Sequence, residues 1–181
     1  MAEFVLFCLP TIGYLIVQSR GPNRTLRSAC SRAGIGWGDR SAYGWAAVLL
    51  PALVLTAWLA IVLIPSEVIG LPGVSVARVT SPTALLAVVL RAVGEEVLFR
   101  GLLGGVLFRR LGFGWGNLVQ AVLFLLPHLA LLLVDPRLWP ILPVQFAAGW
   151  LLGWLRHRTG TFVPGAAVHV IANLAAGVIT G

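Results

Sequence analysis

Six predominantly apolar stretches alternate with short polar connections along this chain. They run from Phe4 to Gln18, Tyr43 to Ile64, Pro82 to Phe108, Trp115 to Val134, Leu138 to Leu155 and Phe162 to Ile179. Most approach or exceed the length, roughly 17 to 25 residues, that carries an α-helix across a bilayer core. The pattern predicts an all-α, polytopic transmembrane helical bundle of about six spans, with no soluble domain. The first stretch is short and contains Pro10, which suggests a tilted or partly re-entrant helix. It lacks a basic leading segment and a small-residue cleavage site, so a removed signal peptide is not expected. The chain divides into residues 1–81, N-terminal helices with a basic cytoplasmic loop, and residues 82–181, a second helical bundle.

Composition agrees: 59% of the 181 residues are hydrophobic and 10% are charged, too few polar groups to coat a soluble globule of this size. The net charge of +7 and the pI near 11.3 could indicate nucleic acid, but the positive residues are dispersed between apolar runs. Nucleic-acid binding is therefore not expected, and the bilayer is the partner. Arg20, Arg24, Arg27, Arg32 and Arg40 precede the second span, Arg109 and Arg110 the fourth, and Arg156 and Arg158 the sixth. These are alternate connections, so the arginine-rich loops are expected in the cytoplasm and both termini outside, in what is expected to be a bacterial cell membrane. The other connections carry Glu67 with Arg78, and Asp135 with Arg137. Trp115, Trp139 and Trp154 fall near span ends, where an indole anchors at the interface. Glycines and Pro22 between Arg20 and Arg40 argue for an ordinary basic loop over a continuous membrane-surface helix. Cys8 and Cys30 are not expected to form a disulfide.

Polar residues inside the apolar stretches stand out. Glu95 and Glu96 lie within the third, where each charge costs about 2.5–3.5 kcal/mol on insertion scales unless it is paired or hydrated. His128, His169 and Asn173 lie in the fourth and sixth stretches, and helical rise places all of these groups in one middle layer. Glu96 and Arg100 are four apart and can pair, while Glu95 is rotated about 100° away. His169 with Asn173, and Phe124 with His128, repeat that spacing. Pro127 opens the helix beside His128. Gly94, Gly101, Gly104 and Gly105 allow neighbouring helices to approach closely.

A carboxylate beside an imidazole in a partly dry pocket is a general base pair for water. A second imidazole with an amide supplies donors for a tetrahedral oxyanion. The set Glu95, Glu96, His128, His169 and Asn173, supported by Arg100 and Phe124, thus resembles a peptidase site without a serine or cysteine nucleophile.

The segments Glu95-Glu96-Val-Leu-Phe-Arg100, Phe124-Leu-Leu-Pro-His128 and His169-Val-Ile-Ala-Asn173 resemble, in order, the EExxxR, FxxxH and HxxxN motifs of the CPBP family of intramembrane proteases. That family includes CAAX prenyl endopeptidases and bacterial Abi-type proteins. The resemblance covers roughly Pro82 to Gly181. It implies a helical membrane bundle in which Glu95 and His128 activate water and His169 with Asn173 stabilise the oxyanion. Glu96 and Arg100 complete the first motif. The implied substrate is a membrane-associated peptide or protein, prenylated or bacteriocin-like.

Other readings compete. Glu95, His128 and His169 would also suit a zinc site with one open position, although the preferred reading has no obligatory cofactor. Arg91, four residues before Glu95, can claim that carboxylate unless it snorkels outward. The polar set could instead serve structure alone in a non-catalytic immunity or scaffold protein, or relay protons in a transporter.

Overall fold

A computed structural model of the chain describes residues 2–22, 24–71, 74, 79 and 81–179. The chain folds as helices α1 (Ala2–Ser19), α2 (Leu26–Arg32), α3 (Arg40–Leu63), α4 (Ser66–Ile69), α5 (Pro82–Glu96), α6 (Gly105–Leu129), α7 (Ile141–Thr159) and α8 (Val163–Ile179). A π-helical stretch, Val97–Gly104, joins α5 to α6, and 3₁₀ turns at Ala130–Leu133 and Pro136–Leu138 join α6 to α7. There is no strand among the described residues.

By length and apolarity, Ala2–Ser19, Arg40–Leu63, Pro82–Leu133 and Pro136–Thr159 can each cross a membrane, and Val163–Val178 is a shorter apolar helix. At 52 residues, Pro82–Leu133 is far longer than one crossing needs. It folds back at Gly112, whose φ of +72° and ψ of 173° break the helix. That left-handed φ suits a residue with no Cβ. The two limbs on either side of Gly112, with α1, α3, α7 and α8, correspond to the six expected passes. The protein is an all-α, polytopic integral membrane bundle.

Local signals set the element ends. Ser81 caps α5 through a hydrogen bond from the Ala84 N–H at 3.1 Å, with Pro82 at the first helical position. Asp39 caps α3, accepting from the Ala42 N–H at 2.9 Å and the Ser41 hydroxyl at 3.0 Å. Those hydrogen bonds, the Ala42 bond foremost, hold its carboxyl below the usual range. The basic segment is not a plain loop, because Thr25 and Ser28 form a capping box that starts the seven-residue α2. The glycines that follow keep α2 short.

The two ends of the bundle differ in chemistry. At the arginine-rich end, Arg109 donates to the Arg32 carbonyl at 2.9 Å and the Tyr14 hydroxyl at 2.8 Å. The Phe162 N–H bonds the Gly34 carbonyl at 3.1 Å, and the Thr161 hydroxyl bonds the carbonyls of Gly34 and Gly36. At the opposite end, Ile64, Val68 and Leu138 form a buried cluster, and Arg137 pairs with Asp135 at 2.8 Å and Glu67 at 3.2 Å. Arg78, expected in the same connection as Glu67, lies outside the described residues. Trp115 and Trp139 are exposed, as interfacial anchors should be. Trp154 instead packs edge-on against Trp45, with ring centroids 5.5 Å apart, so its indole belongs to the helix packing. Cys8 and Cys30 are free thiols.

Close helix contacts depend on glycine. A Cβ on Gly94 would lie 3.3 Å from Phe4 and Phe7 of α1, and one on Gly101 3.2 Å from the Ala33 carbonyl. A Cβ on Gly116 would meet backbone atoms of Leu107 on the other limb at 2.8 Å, whereas one on Gly114 would meet nothing within 4 Å. Gly116→Ala is therefore expected to lower stability by about 1–3 kcal/mol by overpacking. Gly114→Ala should be neutral or stabilising by up to about 1 kcal/mol. Thermal unfolding in detergent measures both, and equal effects would contradict the packing of the two limbs.

Candidate active site

The EExxxR segment spans the change from α-helix to π-helix, with Glu95 and Glu96 ending α5 and Arg100 lying within the π turn. A π turn is rare and concentrates at functional sites, because the widened turn reorients neighbouring side chains. Arg100 and Glu96 are both completely buried and form an ion pair at 2.9 Å. Arg100 also donates to the Ala148 carbonyl of α7 at 3.3 Å and lies over the Phe124 ring, 4.1 Å from its centroid. A guanidinium in an apolar bundle thus gains a carboxylate, a carbonyl and an aromatic face.

Phe124 explains the aromatic position of the second motif. Its buried ring also makes an edge contact with Phe99 at 5.1 Å, and lies 5.2 Å from the His128 ring and 6.1 Å from the His169 ring. One side chain on α6 therefore spaces Arg100 from both imidazoles.

Glu95 points elsewhere. With His128, His169 and Asn173 it lines a cavity of about 600 Å³, whose walls also include Arg91, Phe99 and Gln145. Glu96 is not among the lining residues, and its carboxylate lies beneath the cavity against Arg100 and His169. Helical rotation accounts for the division between two adjacent residues.

The hydrogen bonds constrain the tautomers. His128 Nδ1 is 2.9 Å from the Phe124 carbonyl, which can only accept, so Nδ1 carries the proton and Nε2 of the neutral ring is a base. His169 Nδ1 is 2.9 Å from Glu96 Oε1, and its Nε2 is 3.8 Å from Glu95 Oε2. With Nδ1–H given to the carboxylate, neutral His169 offers only an acceptor at Nε2. Only its imidazolium form has a second N–H to donate. His169 was paired with Asn173 by spacing alone, but the structure ties it first to the two glutamates. That link was hidden in the sequence because it joins residues 73 positions apart.

Arg91 does not snorkel clear of the site. Its Nε is 3.2 Å from Glu95 Oε1 and 3.7 Å from Glu3 Oε2 of α1, and its side chain is 42% exposed. Glu3 at the cavity wall had no signal in the sequence, since it lies outside every motif. For the zinc set Glu95, His128 and His169, no group of three or more His, Cys, Asp or Glu side chains among the described residues is arranged to hold a metal ion. His169 Nδ1 is committed to Glu96 and His128 Nδ1 to a carbonyl, so each imidazole has only its Nε2 left to bind a further group.

A bundle of membrane helices enclosing a carboxylate and imidazole cavity defines an integral membrane protein with a hydrolase-like interior site. Residues 77–175 match the family model described as type II CAAX prenyl endopeptidase Rce1-like, and the chain belongs to that family. It is, in general terms, a CAAX-type intramembrane endopeptidase. No curated protein and no solved structure matches the chain.

The Glu96–Arg100 pair gives a direct test of the packing beneath the cavity. Arg100→Met leaves a buried carboxylate with His169 as its remaining partner and is expected to cost about 3–5 kcal/mol. Adding Glu96→Gln should recover a large part of that loss. Unfolding measurements on the two single variants and the double variant give the coupling, and additive losses would show that the pair is not the linkage described.

Proposed function

We propose that the protein hydrolyses a peptide bond of a membrane-associated substrate through water activated by Glu95 and His128. The observation that carries this reading is the shared cavity, in which Glu95, His128, His169 and Asn173 face one space. Water held against Glu95 and His128 Nε2 loses a proton as its oxygen attacks the carbonyl carbon. The carbonyl oxygen gains charge and accepts from the Asn173 amide and from Nε2–H of His169 in its imidazolium form. The proton then passes to the leaving amine as the C–N bond breaks. Glu96 and Arg100 act from below by fixing the imidazole of His169. No step calls on a cofactor. Substrates in keeping with the family are prenylated CAAX-type or bacteriocin-like peptides.

One observation favours a non-catalytic immunity or scaffold role instead. Arg91 holds the proposed base at 3.2 Å, so Glu95 is ion-paired in this state. The same variants separate the two readings.

Glu95→Gln and His128→Ala are each expected to reduce cleavage in a reconstituted peptidase assay by about 10² to 10⁴-fold, the usual worth of general acid–base catalysis. Both should remain folded and membrane-inserted. Cleavage at the wild-type rate by Glu95→Gln would refute the mechanism, and a wild-type protein inert towards processed peptides in cells would favour the scaffold role. Processed termini are found by comparing the proteomes of cells carrying wild type and Glu95→Gln.

Metal dependence has its own measurement. Chelation of the purified protein is expected to leave cleavage unchanged, with zinc well below one equivalent. Loss of activity on chelation, restored by added zinc, would replace the glutamate mechanism with a metal one.

A further inference from the structure

The cavity lies in one half of the bundle, and the arginines gather at the other end. Because successive passes alternate in direction, the start of α1, the end of α3, the start of α5, the end of α6, the start of α7 and the end of α8 share one end. The wall of the cavity is drawn from that half, through Glu3, Ala57, Ala84, Leu131, Ile141 and Ala176. The opposite end holds nine of the thirteen arginines: five from Arg20 to Arg40, then Arg109, Arg110, Arg156 and Arg158. The hydrogen bonds of Arg109 and Arg156 to the Arg32 carbonyl, at 2.9 and 3.4 Å, tie these connections together.

The half between the site and the arginines is packed. Arg100, Phe124 and Leu155 have no exposed surface, and a Cβ on Gly101 or Gly149 would come within 3.2 Å of backbone atoms on a neighbouring element. On the other side of the site the cavity is lined by a mixture of small side chains, among them Ala57, Ala60 and Ala84, and larger apolar ones such as Ile61, Val88 and Ile141. The free space beside Glu95 therefore lies on the side remote from the arginines. Arginine-rich connections stay on the cytoplasmic side of a membrane protein.

We infer that the site is served from the extracytoplasmic side: its substrate is a peptide held by an apolar segment in the outer half of the bilayer, whose scissile bond descends into the cavity from outside. This rests on the hydrolytic reading above and narrows it. A protein carrying its prenyl group on the cytoplasmic face would have to enter through the packed, arginine-capped half. An exported or outward-facing peptide meets the cavity half directly, with apolar walls for its apolar chain and the Arg91–Glu3 pair beside its polar backbone.

Cysteine accessibility tests the side of entry without needing cleavage. In a Cys8→Ser, Cys30→Ser background, single cysteines are placed at Ala84 and Leu131 in the cavity wall, at Asn173 in its depth, and at Ser28 in α2 as the reference for the arginine end. Intact cells are treated with a membrane-impermeant sulfonated maleimide, before and after permeabilisation. The cavity cysteines are expected to label in intact cells to the level reached after permeabilisation, and the Ser28→Cys reference only after it. The reverse pattern overturns the inference, as does absence of labelling at all three cavity positions in both states. Should Asn173→Cys fail to fold, Ala84→Cys and Leu131→Cys decide the orientation alone. A lack of hydrolysis in the peptidase assay would leave the labelling pattern unaffected, so the two failures are distinguishable.

Discussion

A guanidinium with no exposed surface sits in the middle of an apolar bundle, and the rest of the site is arranged around keeping it there. Arg100 requires an anion, and Glu96 supplies it at 2.9 Å. It also requires acceptors and a polarisable surface, which come from the Ala148 carbonyl on α7 and the Phe124 ring on α6. Glu96 in turn holds His169 on α8 at 2.9 Å. The π segment, α5, α6, α7 and α8 thus converge on one buried charge. Desolvating such a pair costs more than its Coulomb attraction alone recovers unless further bonds are made. The pair is therefore better understood as a positional constraint than as a source of net stability.

That constraint divides the labour of two neighbouring glutamates. Glu96 is consumed by packing, which leaves Glu95 as the carboxylate that meets the cavity. Glu95 retains an ion pair with Arg91, but this partner is 42% exposed, so solvent screens it as it cannot screen Arg100. A partly hydrated arginine can yield to an incoming polar backbone, whereas the buried one cannot move without leaving Glu96 unpaired. The difference in burial between two arginines, each four residues from a glutamate, sets which carboxylate is fixed and which is available.

Much of this was legible in the sequence because it follows from local periodicity. Four-residue spacing foretold the Glu96–Arg100 pair, and depth counting placed Glu95, His128, His169 and Asn173 in one layer, which they share as a cavity. Apolar runs gave the six passes, with Gly112 as the fold-back that run length alone did not locate. Long-range geometry was not legible. The His169–Glu96 bond joins separate helices, and Glu3 reaches Arg91 from the start of α1. The π turn has no distinct signature in Val97–Gly104, since the same apolar and glycine pattern suits an α-helix. The capping box of α2 was present in Thr25 and Ser28 but obscured by the surrounding glycines, and Trp154 met another tryptophan instead of the interface.

The two halves of the bundle differ in how much space lies between their helices. On the arginine side, glycines let neighbouring elements approach closely: a Cβ on Gly149 would come within 3.2 Å of the Ala121 backbone, and one on Gly153 would collide with the side chains of Asn117 and Gln120. On the other side, alanines and larger apolar residues together line a cavity of about 600 Å³. Removing a side chain closes a gap only if the backbones can move together, and it leaves a cavity if other contacts hold them apart. The Ile64, Val68 and Leu138 cluster and the Arg137 pairs with Glu67 and Asp135 lie at the rim of this half. Close glycine packing on one side of the site and the cavity on the other give Glu95 one packed side and one open side. In the proposed reaction, a base that takes a proton from water beside a fixed imidazole makes use of that asymmetry.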